Sequence, residues 1–369
     1  GYLQLIDVAT YLNHYYLAGL LALLLAVSPA PRAHSFDARF GVCRSAERVS
    51  ALWLYLFRFQ IAVVYSFAGF AKAQADWLVH AEPLSIWIGS HTDMPVVGPV
   101  LAAPWAPWVA SWAGFLFDSS IAWLLSSRRL RPFAFAAVIA FHVFTGMLFP
   151  IGMFPVIMVL AALVFFPPDW PRSAANLVRR LVGRPPAGSA PRSDDTGAVG
   201  EPRSAGSSSR QRRVGLALVM IYCVLQLVVP LRFLLYRGNV LWHEQGMRFS
   251  WRVMVREKNG SVTFVVRDKT SDRIWEVNPR SYLTRIQERE TSTQPDLILQ
   301  LAHRIRSDFE KRGIGPVEVR ADVLVSLNGR RLARLIDPDV DLARVSDGIG
   351  RAGWILPSPV DVPPRLRPL

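Results

Sequence analysis

Runs of about 20 mostly apolar residues recur through the first 236 positions of this 369-residue chain. An α-helix needs about that length to cross the hydrocarbon core of a bilayer. Within lipid every backbone polar group must also be satisfied inside the segment itself, so repeated runs of this kind dictate a bundle of helices. Six runs stand out, at about 11–28, 52–71, 105–125, 133–149, 152–166 and 214–236. The fifth is short, and Pro150, Gly152 and Pro155 predict a tight turn or a broken helix where it meets the fourth.

The formal net charge of +14 could suggest nucleic acid. However, most arginines of the first half sit in short segments between apolar runs, where positive charge sets topology. That placement argues against nucleic acid as a partner and for the lipid bilayer. Arg32, Arg39, Arg44 and Arg48 follow the first run, and Arg128, Arg129 and Arg131 follow the third. Nine arginines lie between Arg172 and Arg213, whereas Ala73 to Pro104 holds no lysine or arginine. Basic loops stay in the cytoplasm. The N-terminus, the Lys72 end of the second run and everything after residue 236 are therefore expected outside.

The expected architecture is a multi-pass α-helical transmembrane bundle followed by an α+β, β-rich soluble domain. Residues 1–182 would form about five spans, 183–213 a disordered Arg/Pro/Gly/Ser-rich cytoplasmic linker, 214–236 the last span, and 237–369 an exoplasmic domain. In that last part "RFSWRVMVRE", "SVTFVVRDKT" and "RIWEVNPRSYL" read as strands, the first two joined about Asn259-Gly260. A helix should start near Pro295, bury Ile298, Leu301, Ile305 and Phe309 on one face, and stop at Gly313. A second hairpin is predicted about Asn328-Gly329. Trp242, Trp251 and Trp275 are expected as core or interface aromatics. Cys43 and Cys223 both precede this domain, so no disulfide framework is expected in it. The chain opens on Gly1 without a signal pattern and reads as a fragment of a longer protein.

The sequence contains no HExxH, P-loop, GxSxG or paired-cysteine motif, and no metal is expected. Ionisable residues in or beside the apolar runs remain: His14, Arg58, Lys72, Asp118 and His142, with Asp76 just past the second run. Such residues are costly in lipid and point to function. Lys72 is one of only four lysines and the only one before Lys258, in a chain that otherwise uses arginine. One reading is a side chain snorkelling to the headgroups. The other is a desolvated amine able to take a proton, which a guanidinium cannot do because it stays protonated. His14 and His142 each read either as buried, hydrogen-bonded histidines or as groups acting on substrate, and Asn13 as a cap. Asp118 and Arg58 read either as a structural interhelical pair or as functional groups.

The ordered set "LNHYYLAGLLA", "GFAKAQADW", "FHVFTGMLFPIGMF", "FPPDWPR", "GMRFSWRVMV", "VNPRSYL" and "VSLNGRRLARLIDPDVDL" resembles the vitamin K-dependent γ-glutamyl carboxylase family from about Leu12 to about Leu342. The resemblance implies a membrane enzyme using reduced vitamin K (a naphthohydroquinone), O2 and CO2. Oxygenation of the quinol to its epoxide would drive carboxylation of glutamate in an exported peptide or protein. Lys72 would be the initiating base, His14 and His142 would act at the reacting groups, and Asn13, Asp76 and Trp77 would bind substrate. Two other readings stay open: a membrane quinol oxidoreductase or epoxidase without carboxylation, and a non-enzymatic scaffold that displays the soluble domain.

Overall fold

The computed structural model of the protein describes residues 6–32, 35–43, 49–183, 185 and 209–364. Arg44, Arg48 and most of the 183–213 linker read from the sequence lie outside the described residues. The helical part comprises α1 (Asn13–Val27), α2 (Ala51–Lys72), α3 (Ala106–Ser126), α4 (Arg131–Leu148), α5 (Phe154–Ala162), α6 (Trp170–Leu181) and α7 (Ser209–Leu231). Among the described residues four helices are long and apolar enough to cross a membrane: α2, α3, α4, and α7 with the turn that extends it to Leu235. Helix α1 has 15 residues. At about 1.5 Å per residue it falls short of the roughly 30 Å hydrocarbon core, so the first of the six expected crossings is not of membrane length. The fifth run forms α5 and a 3-10 turn to Phe165, then bends by 101° into α6. Ser209 to Arg213, read as linker, already belong to α7.

The bundle core gathers Leu17 from α1, Ile61 and Tyr65 from α2, Ile121 and Leu125 from α3, Val138 from α4 and Met158 from α5. Trp251, from beyond α7, inserts into the same core and stacks on Tyr16 with ring centroids 5.0 Å apart.

The C-terminal part is built from β1 (Lys258–Asp268), β2 (Ile274–Val277), α8 (Arg285–Thr291), α9 (Pro295–Lys311), β3 (Val317–Leu327) and β4 (Ala333–Arg334). The sheet is antiparallel in the order β2-β1-β3-β4. Val262, Phe264 and Val266 alternate inward on β1, as do the odd-numbered residues Val317 to Leu327 on β3. Helix α9 covers that face with Ile298, Leu301, Ile305 and Phe309, all buried as its spacing predicts, and Gly313 follows its end at φ +76°.

Two expectations fail here. Asn259 and Gly260 are not a turn: they lie in β1, opposite Ser326 and Val325, and the β1–β2 hairpin turns instead between Asp268 and Ile274. "RFSWRVMVRE" is not a strand either. Phe249, Trp251 and Met254 all sit at positive φ, which a strand cannot hold, so this segment folds back on itself. The 73–104 connection also packs on the soluble domain: Trp77, Leu84, Ile88 and Leu101 share one core with Phe264, Ile298 and Val323.

Candidate functional site

Tyr65, Ala68, Gly69 and Lys72 recur on one face of α2 at helical spacing. Gly69 brings that face against α3 so closely that a Cβ there would lie 2.9 Å from the backbone nitrogen of Ser119. The contact sets Lys72 opposite Asp118, and Lys72 Nζ donates to Asp118 Oδ2 at 2.7 Å. Nζ also reaches the carbonyls of Ala68 at 3.5 Å and Val253 at 3.4 Å. Three acceptors thus match the three N–H donors of an ammonium. Both side chains are buried, with 6% and 9% exposure, and the Trp77 ring lies 5.1 Å from Nζ.

The pairing of Asp118 with Arg58 that the sequence allowed does not form. Arg58 instead donates to the carbonyls of Val164, Phe165 and Phe166. Counted at 1.5 Å per residue from Ala106, Asp118 should lie about 18 Å deep, near Arg58, which is about 21 Å along α2 from Lys72. The first turns of α3, however, rise past the end of α2. There Ser111 accepts from Trp77 Nε1 at 2.8 Å, and Trp108 donates to Val79 at 3.0 Å. Asp118 is thereby lifted to Lys72, an offset that apolar run lengths do not encode.

The ion pair faces a cavity of about 160 Å³ whose walls include Tyr65, Trp77, Trp87, Gly114, His142, Phe154 and Met254. The lining is almost wholly apolar, with a few convergent polar groups, as in small-molecule sites. A void near 150 Å³ admits an aromatic ring. His142 Nε2 is 3.1 Å from the Tyr65 hydroxyl, a contact the sequence did not signal, while Nδ1 is buried without a hydrogen-bond partner among the described residues.

Asn13 and His14 do not line this cavity. Asn13 Oδ1 accepts from the Tyr11 hydroxyl at 3.0 Å. The His14 ring lies 6.2 Å from Phe154, and the Phe154 ring in turn lies 5.8 Å from His142, so one ring contacts both histidines. Asn13 lines an adjoining vestibule of about 260 Å³, together with Tyr11, Arg248, Arg252, Arg256 and Glu290. Trp87 and Met254 belong to both spaces and form the partition between them.

Asp76 is fully engaged elsewhere. Arg330 binds it through both guanidinium nitrogens at 2.7 Å, and Asn328 Nδ2 donates to it at 2.8 Å. Burial pushes the Asp76 carboxyl up, but these partners outweigh it and hold the group below the usual carboxylate range. Its role in the fold is to clasp the two parts of the molecule together. Asn328 explains why: at φ +50° it turns the β3–β4 hairpin and its side-chain oxygen accepts from Glu257 N, which leaves its amide free for Asp76.

Helices of membrane length, an ion pair buried among them and an antiparallel sheet closing the same end define a multi-pass membrane protein with a buried polar site where its two halves meet. Residues 1–170 match the HTTM domain, and residues 211–361 match the vitamin K-dependent gamma-carboxylase, lumenal domain. The chain belongs to the gamma-carboxylase family. No solved structure matches it.

Proposed function

We propose that the protein is a vitamin K-dependent γ-carboxylase-like membrane enzyme, coupling epoxidation of a reduced naphthoquinone to carboxylation of peptide glutamate with CO2. One observation carries this reading: a lysine–aspartate pair set in an apolar, aromatic-walled cavity beside a histidine with an unused ring nitrogen. When bound, the quinol supplies with O2 the driving force and the strong base that the glutamate γ-carbon requires.

The chain's own groups hold protons and exclude water. Moving one proton from the Lys72 ammonium to Asp118 Oδ2, 2.7 Å away, frees the amine lone pair. Lys72 can then take one proton from the bound substrate, which leaves an ammonium beside a protonated Asp118 that must release its proton before the next turnover. His142 lines the same cavity, and its Nδ1, without a partner among the described residues, would serve as a hydrogen-bonding group for the reacting oxygens. Trp77, Phe154 and Met254 keep the space dry, which electrostatic and carbanion chemistry both need. Lys72 contacts Val253 of the soluble part, so the reactive end of α2 and that domain lie on one side of the bundle. The charge pattern of the loops and the matched lumenal domain support the exoplasmic side for both.

The test supplies purified protein with naphthohydroquinone, O2, a glutamate peptide and labelled CO2. The expected result is epoxide and labelled peptide from the wild type and neither from Lys72→Ala. Epoxide without label would reduce the activity to quinol epoxidation. If folded wild type with quinol bound made neither product, the reading would be wrong.

A further inference from the structure

Arg248, Arg252 and Arg256 line one wall of the vestibule. The outer two are paired: Arg248 with Asp296 and Gln294, Arg256 with Glu244 at 3.0 Å. Among the described residues Arg252 has no carboxylate and no hydrogen-bond partner, and its Nε is buried. Its guanidinium lies 4.1 Å from the Phe233 ring centroid, which fixes its plane. Burial alone pulls this group down to about 10. A half-buried guanidinium without a counter-charge is costly to keep. The chain tolerates it at a position that borders a cavity, and the following residues lead straight to the reactive centre: the Val253 carbonyl accepts from Lys72, and Met254 lines both spaces.

Resting on the proposed activity, we infer that Arg252 binds the side-chain carboxylate of the substrate glutamate in the vestibule and presents it across the Trp87–Met254 partition. A planar, two-pronged donor suits a carboxylate. Glu244 and Glu290 on the same walls disfavour more highly charged anions such as phosphate esters.

The test measures binding of a short fluorescent peptide to the intact protein in nanodiscs, with glutamate or glutamine at its centre. Wild type should prefer the glutamate peptide by roughly tenfold or more, and Arg252→Gln should erase that preference without changing the melting temperature. Should that variant fail to fold, competition on the wild type decides: glutarate should displace the glutamate peptide, and its uncharged diamide should not. Equal binding of both peptides by wild type, or an unchanged preference in Arg252→Gln, would overturn the inference. Charge-selective binding without carboxylation would leave this site standing and refute only the proposed reaction. Carboxylation with an indifferent Arg252 would do the reverse.

Discussion

Asp118 gives Lys72 its counter-charge, and this coupling has a measurable signature in stability as well as in activity. Removing one member of a buried pair leaves an uncompensated charge, at about 3–5 kcal/mol, whereas replacing both with apolar groups is often neutral. Asp118→Leu and Lys72→Met should each lower the melting temperature in detergent, and the double variant should melt above both. Lys72→Arg keeps a charge that never leaves, so epoxide formation should fall on the order of 100-fold or more. Glu82, in the 73–104 connection, is pushed up to about 7, chiefly by burial, with the neighbouring Asp76 charge adding to it and the Ser85 hydroxyl opposing it. A carboxyl raised in the folded state leaves stability intact below its unfolded value. That stability is lost as pH rises from about 4.5 through about 7, by on the order of 3 kcal/mol. Glu82→Gln should therefore flatten the decline in melting temperature between pH 5 and 8. Lys72 was legible at this scale because it is the only lysine before Lys258. Tyr65 and the Asp118 pairing were not, because which groups face each other depends on how far α3 slides along α2.

At the scale of elements, the helices could be read from hydropathy because lipid forbids other solutions, and α9 from its apolar stripe. The two Asn-Gly pairs show the limit of local signals. Asn328 and Gly329 take φ +50° and +73° and make the predicted turn. Gly260 is glycine for a different reason: a Cβ there would meet Leu324 O at 2.7 Å and Ser292 O at 3.0 Å, so this strand residue answers to its neighbours. The same logic applies to Gly69, where Ser119 backbone atoms leave no room for a methyl group. Gly69→Ala should force α2 and α3 apart and stretch the Lys72–Asp118 contact. The expected outcome is a lower melting temperature and a drop in epoxide formation, both larger than for Gly19→Ala on α1, where nothing lies within 4 Å.

Across the whole molecule, the helical and sheet-containing parts are held by a shared apolar core and by the Asp76–Arg330–Asn328 clasp. Arg330 and Asp76 are both close to fully buried, at 10% and 12% exposure. Arg330→Met should strand the Asp76 charge, raise hydrogen exchange in both the 73–104 connection and the β3–β4 turn, and weaken carboxylation more than quinol binding. A change confined to one side of the junction would show that the clasp does not couple them. None of this docking could be read from composition, since Asp76 sits 254 positions before Arg330 in the chain. The Val253 carbonyl on Lys72 carries a consequence for biosynthesis. The last ligand of the buried amine is translated 181 positions after it, so a ribosome-bound chain with every earlier span inserted still lacks a finished centre. If the proposed activity holds, turnover would wait until the final third of the polypeptide has emerged and folded back, and no harsh base would form in a half-made protein.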